Sequence, residues 1–184
     1  MAAEKRLGIV TKTASYWTAV ISNPSTNMFA PLMFAELNVL MEKMEQSPDL
    51  RIVVFESADP DFFMNHHDVV HRIEVPDVPG VKPFFYPWPY FVEKLVNVPV
   101  LSVANVRGRA RAQGFEFALA CDMRFASREK ALFSRVETAG ASIPGGGGIE
   151  WLTRLCGRSS TLKCKYLLPL CRFPNIREET EKST

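Results

Sequence analysis

A chain of 184 residues is long enough for one domain with a substantial core and short for two. Hydrophobic residues make up 47% and charged residues 23%, and 22 basic side chains against 20 acidic ones leave a formal charge of +2. That balance argues against a nucleic-acid partner or a membrane surface, and no window approaches the roughly 18 apolar residues of a membrane span.

Residues Met1-Ala-Ala-Glu-Lys-Arg6 show no apolar stretch leading to a cleavage site, so no secretory signal is expected. A cytoplasmic protein fits best, with an organelle matrix as the other suitable compartment. Ser15 to Ile21 reads as a strand, ended by Ser22-Asn-Pro-Ser-Thr-Asn27. From Ala30 to Met44, the apolar residues Leu32, Met33, Leu37, Leu40, Met41 and Met44 recur at helical spacing. Arg51 to Phe55 is a short β-branched strand. The Pro-rich, aromatic stretch from Val75 to Pro89 reads as an irregular loop passing into a helix over Tyr90 to Val96. Leu101 to Val106 is a buried strand and Gln113 to Ala120 a helix, followed by strands at Met123–Ala126 and Ala131–Phe133. Ile143-Pro-Gly-Gly-Gly-Gly148 opens a further helix from about Ile149 to Leu155. Strands alternating with helices predict an α/β domain. Phe173 to Thr184 is polar and charged and is expected to fray.

Three places can carry chemistry. Asp59 to Asp68 follows the Arg51–Phe55 strand, and Gly108 to Glu116 follows the Leu101–Val106 strand. Phe133 to Glu137 leads to the glycine run at Gly145–Gly148. In the second, Gly108, Ala110, Ala112 and Gly114 let backbone approach a ligand closely, just where a helix begins. The first N–H groups of a helix lack internal partners and sit at the positive end of its dipole, so they can hold an oxyanion. Glu116 follows one turn later. The same pattern also suits a plain strand–helix connection with Glu116 as a helix-start acid.

The run Val103-Ala-Asn-Val-Arg-Gly-Arg-Ala-Arg-Ala-Gln-Gly-Phe-Glu-Phe-Ala-Leu-Ala-Cys-Asp-Met-Arg-Phe-Ala-Ser127 closely resembles the crotonase (enoyl-CoA hydratase/isomerase) signature. The resemblance continues through Phe133–Glu137, the glycine run and Arg154-Leu-Cys-Gly-Arg158, and begins at Trp17 to Asn27 with its Asn-Pro-x-x-Asn pattern. It covers about residues 15 to 160, which implies an N-terminal extension over residues 1–14 and a divergent tail over 161–184. The fold implied is a crotonase-like spiral of β-β-α turns, shortened at its C-terminal helices. Crotonases take an acyl-CoA thioester as a small-molecule substrate and stabilise an enolate-like oxyanion with two backbone N–H groups. Aligning Phe62 with the family's loop places these donors at His66 and Gln113, with Met64, His67, Asp68 and Gly114 as substrate-binding positions. The two hydratase carboxylates map onto Glu116 and Glu137. Two acids near one water can divide proton removal and delivery between them, whereas isomerases of the family shuttle a proton with fewer acids. The resemblance implies no metal and no cofactor beyond the coenzyme A of the substrate. It also implies a homotrimer or higher oligomer, or, with the unmatched tail, a catalytically silent binder of CoA esters or of a partner.

This chain has its own residues at several family positions. Met64 and Asn65 replace small residues, Ala112-Gln113-Gly114 replaces a glycine triplet, and Val136 replaces a proline. His66, His67 and His71 lack the Glu of a zincin pattern and are expected to shape the loop without metal. The Gly145–Gly148 run lacks a following Gly-Lys-Ser/Thr and is expected to be a flexible turn. Arg107, Arg109 and Arg111 suit either CoA phosphates or solvent, and Phe84-Phe85-Tyr86-Pro-Trp88 either walls an acyl chain or packs a core edge. Cys121, Cys156, Cys164 and Cys171 fit neither a zinc site nor a disulfide framework and are expected as reduced thiols.

Overall fold

A computed structural model describes residues 6–68, 87–137 and 143–166, with side chains described as far as residue 162. The first half of the chain carries β1 (Leu7–Thr13), β2 (Tyr16–Ile21), α1 (Pro31–Gln46), β3 (Ile52–Ser57), β4 (Phe62–Met64) and α2 (Trp88–Asn97). The second carries β5 (Leu101–Val106), β6 (Arg109–Arg111), α3 (Gln113–Ala120), β7 (Met123–Ala126), β8 (Leu132–Ser134) and α4 (Gly148–Tyr166). The order β-β-α therefore repeats four times. The larger sheet runs β1-β2-β3-β5-β7 and the smaller β4-β6-β8. From the second turn onward, the first strand of each turn joins the large sheet and the second joins the small one. This is the predicted spiral of β-β-α turns.

Local chemistry explains the elements. β2 and β3 pair in parallel from Tyr16–Ile52 to Ile21–Ser57, and such pairs need a crossover, which α1 supplies. Pro31 opens α1, where a missing N–H costs nothing, and Met33, Phe34, Leu37, Leu40, Met41 and Met44 bury one face. α3 is short and central, with seven of its eight residues buried. Its Phe117 packs edge-on to Phe55 of β3 at 4.8 Å between ring centroids and lies 6.3 Å from Phe63 of β4, so the helix touches both sheets. Asn27, in a left-handed backbone at φ 49°, donates from Nδ2 to Ser57 Oγ (2.6 Å) and to the carbonyls of Phe62 and Phe63. One short polar side chain thereby fastens the turn after β2 to the strand that leads into the candidate site.

Several boundaries differ from the sequence expectation. Residues 7–13 form edge strand β1, antiparallel to β2, and of its seven residues Leu7 alone is buried. β4 and β6 have three residues each, too short to show a period. α4 continues past Leu155 to Tyr166, through Gly157 at φ 76° and ψ 167°, where the backbone leaves the helical region. None of the helices among the described residues is long and apolar enough to cross a membrane.

Candidate active site

Residues 65–68 follow β4 and are tied to the segment ahead of α1, with a parallel bridge between His67 and Phe29. Phe29 N–H donates to His66 O (3.0 Å), Asp68 N–H donates to Phe29 O (2.9 Å), and Asn65 N–H donates to Asn27 O (2.8 Å). Successive N–H groups of an extended chain point to opposite sides. His67 N–H therefore points away from Phe29, and it donates to Oε1 of Gln113 at 2.9 Å. The alignment on Phe62 names His66 as the first oxyanion donor, but His66 N–H folds back on Asn65 Oδ1 (2.9 Å). The donor facing the start of α3 is one residue later, as an alignment on Phe63 would give.

The start of α3 lies against this loop because Gly114 has no side chain. A Cβ there would overlap the carbonyl carbon and oxygen of Met64. Gln113 is the first residue of α3, and its N–H precedes the helix's first internal bond, Glu116 N–H to Ala112 O (2.9 Å). Ala112, just before it, holds φ 47° and ψ −115°, a conformation that costs a residue with a Cβ about 1–3 kcal/mol. The turn is held there by Ala112 N–H donating to Ser134 O (3.0 Å) in β8. Met64 itself is fully buried in the core, so its contribution to the site is backbone, while His67 and Asp68 are each 8% exposed.

Glu116 projects from α3 into a closed nest and is 1% exposed. Trp88 Nε1–H donates to its Oε2 (2.8 Å), Gly146 N–H to both oxygens (3.0 Å each) and Gly148 N–H to Oε1 (3.2 Å). Gly146 and Gly148, where α4 begins, thus cradle the protein's own Glu116 carboxyl group. A Cβ at Gly146 would overlap Trp88 Nε1 and crowd Glu116 Oε2, and one at Gly148 would crowd Arg135 and Glu116. The expected flexible turn is therefore packed tightly at Gly146 and Gly148, while Gly145 is exposed. Burial pushes the Glu116 carboxyl above its ordinary pKa of 4.5, the Glu137 charge adds to this, and the bonds from Trp88, Gly146 and Gly148 oppose it. Sequence pattern offers no signal that Trp88, in the aromatic cluster, reaches this acid across the fold.

Arg135 is equally buried, at 1% exposure, with Nη2 3.9 Å from Glu116 Oε1. Burial pulls its guanidinium below the usual pKa, while the charges of Glu137, Glu116 and Glu150 sustain it. Glu137 sits two residues on, and both of its oxygens are buried without a hydrogen-bond partner among the described residues. The two mapped acids are thus close enough to feel each other's charge, and they differ sharply. Glu116 has its lone pairs occupied and Glu137 has them open.

Other candidates are drawn into packing. Arg107 Nη2 donates to Ser57 O (2.8 Å) and Arg109 lies over the Phe62 ring at 5.2 Å. Cys121 is buried and Cys156 half-buried, both as free thiols, and burial raises both pKa values. His71, Phe84, Phe85, Tyr86 and Cys171 lie outside the described residues, as does the side chain of Cys164. Among the described residues no group of three or more His, Cys, Asp or Glu converges as a metal site.

A family model described as enoyl-CoA hydratase/isomerase matches residues 12–168. The chain belongs to the enoyl-CoA hydratase/isomerase, or crotonase, family. Human mitochondrial methylglutaconyl-CoA hydratase is 31% identical over 133 residues, which are 72% of this chain and 39% of that protein. The chain thus spans about two fifths to a little over half of the length of the curated relatives it matches. A crystal structure of a Streptomyces avermitilis protein described as an enoyl-CoA hydratase superposes with a TM-score of 0.81 at 34% identity, covering 90% of this chain and 60% of that one. The enoyl-CoA hydratase of Bacillus anthracis shares the fold at 22% identity, with a TM-score of 0.78 over 96% of this chain and 67% of that one.

Proposed function

We propose that this crotonase-family chain acts on an α,β-unsaturated acyl-CoA thioester, adding water through an enolate whose oxygen is held by two backbone N–H groups. The observation that carries this reading is that His67 N–H faces the first residue of α3, where it donates to Gln113 Oε1, with buried Glu116 one turn along the same helix. In the proposed reaction His67 N–H and Gln113 N–H hold the thioester oxygen as it gains charge. Preorganised donors of this kind are each worth about 2–4 kcal/mol of barrier. Glu116 and Glu137 then share the proton work, one activating water for attack at Cβ and the other delivering a proton to Cα. Burial and the Glu137 charge raise the pKa of Glu116, which suits a role in delivering or accepting a proton. Relatives that are hydratases, and both acids at their mapped positions, support the reading.

One observation favours a second reading. Glu116 accepts from Trp88, Gly146 and Gly148, so its oxygens are engaged without substrate, whereas those of Glu137 are open. Glu137 acting alone would move a proton between carbons, which is isomerisation. Incubation with crotonyl-CoA and longer 2-enoyl-CoA esters, and separately with 3-enoyl-CoA esters, distinguishes the two. Hydration gives loss of enoyl absorbance with 3-hydroxyacyl-CoA as product; isomerisation, whose equilibrium favours the conjugated ester, is read from a 3-enoyl-CoA as a gain of enoyl absorbance, and both kinds of ester bound but unchanged contradict both.

The pH dependence follows from the same contacts. Burial keeps Glu116 protonated to higher pH than an exposed carboxyl, so the limb of kcat/KM set by its ionisation lies above the usual carboxylate range. The Trp88 bond lowers that pKa, and Trp88→Phe removes the donor while keeping a ring. The limb is therefore expected to move to still higher pH in Trp88→Phe, and an unmoved limb would show that the bond does not govern Glu116.

A further inference from the structure

Gln113 carries two groups of opposite character at one place. Its backbone N–H precedes the first internal bond of α3, and its side-chain carbonyl oxygen accepts from His67 N–H at 2.9 Å. His67 N–H has little freedom to choose another partner, because the carbonyl of His66 and the N–H of Asp68 on either side are bonded to Phe29. The Gln113 carboxamide oxygen thus lies where an acyl oxygen would have to lie to reach the same donor. A carboxamide carbonyl and a thioester carbonyl are alike as acceptors, and one N–H in this geometry serves one of them well.

We propose that the Gln113 side chain is a built-in competitor of the substrate carbonyl, closing the oxyanion site until a thioester displaces it. This rests on the acyl-CoA reading given above. The competition acts on the carbonyl alone, so it selects ligands by what they place at that point. An ester with a well-seated carbonyl displaces Oε1, whereas a CoA derivative without a carbonyl leaves the plug in place. Gln113 is in this sense a specificity-determining residue in addition to the donor its backbone supplies. Ala in its place keeps the backbone N–H and suits a helix start within α3, but removes the Oε1 that occupies His67 N–H.

The test compares binding of butyryl-CoA and of its thioether counterpart S-butyl-CoA, which lacks the carbonyl, to wild type, Gln113→Ala and Gln113→Glu by titration calorimetry. Gln113→Ala is expected to tighten butyryl-CoA by roughly three- to ten-fold, the worth of one N–H···O bond. S-butyl-CoA should be unchanged. Gln113→Glu keeps an acceptor opposite His67 and is expected to bind butyryl-CoA no better than wild type. Equal affinities of wild type and Gln113→Ala for butyryl-CoA would overturn the competitor and leave the acyl-CoA reading standing. Equal tightening of both ligands would also overturn it, since the effect would then be one of space. Failure of every protein to bind either ligand would overturn both.

Discussion

Glu137→Gln is expected to lower kcat on an enoyl-CoA by two to four orders of magnitude, the usual worth of a positioned general acid or base. Binding of a saturated acyl-CoA should change by less than about three-fold, because the proposed oxyanion donors are backbone N–H groups remote in sequence from Glu137. The expectation rests on the contrast between the two acids. Both Glu137 oxygens are buried yet open, which is expensive in a folded protein and is tolerated where a group has work to do. Arg135, buried beside it, offsets part of that cost by charge. Glu116→Gln should behave differently. An amide in that nest would turn an NH2 towards N–H groups of Trp88, Gly146 or Gly148, so fold as well as rate should suffer. Leaving such donors without an acceptor costs about 1–3 kcal/mol each, which a thermal melt would read as a lowered midpoint. Loss of rate with an unchanged midpoint in Glu137→Gln, beside loss of both in Glu116→Gln, is the expected pair of results. Full activity in Glu137→Gln would remove that acid from the reaction.

Gly114→Ala is the second large effect. Its Cβ would overlap the Met64 carbonyl, which is backbone and cannot swing aside as a side chain could. The loop after β4 or the start of α3 must therefore move, and those are the two pieces that carry His67 N–H and Gln113 N–H. A strain of about 1–3 kcal/mol is expected in stability. Displacing one oxyanion donor is expected to cost a further 10²–10³ in kcat. Gly8→Ala serves as the comparison, since a Cβ there meets its nearest neighbour at an ordinary 3.8 Å. A Gly114→Ala protein with wild-type melting and rate would mean that the close approach of loop and helix is not required.

Much of this arrangement is legible in the residues because it depends on periodicity and on short motifs. The apolar spacing from Met33 to Met44 marks α1, the β-branched run at residues 52–55 marks most of β3, and the Gly108–Glu116 pattern marks the turn into α3. What escapes is structure decided by contacts between distant segments. β1 buries Leu7 alone, so it has no alternation to read, and it exists because β2 offers a partner edge. The shift from His66 to His67 is a choice between aligning Phe62 and Phe63, adjacent like residues, and it is the bonds of Phe29 to His66 O and Asp68 N–H that leave His67 N–H facing α3. Trp88 and Glu116 are 28 positions apart, and their bond depends on the fold bringing α2 to α3. Gly146 and Gly148 look like a loose turn in sequence and are glycine because Glu116, Trp88 and Arg135 leave no room for more.

The most direct test of the central claim is turnover of crotonyl-CoA in deuterium oxide, followed by mass and NMR analysis of the product. An oxyanion-stabilised enolate that is protonated at Cα by Glu116 or Glu137 predicts a 3-hydroxyacyl-CoA carrying one deuterium at Cα. Crotonyl-CoA recovered chemically unchanged and free of deuterium, from protein shown by calorimetry to have bound it, would contradict the account.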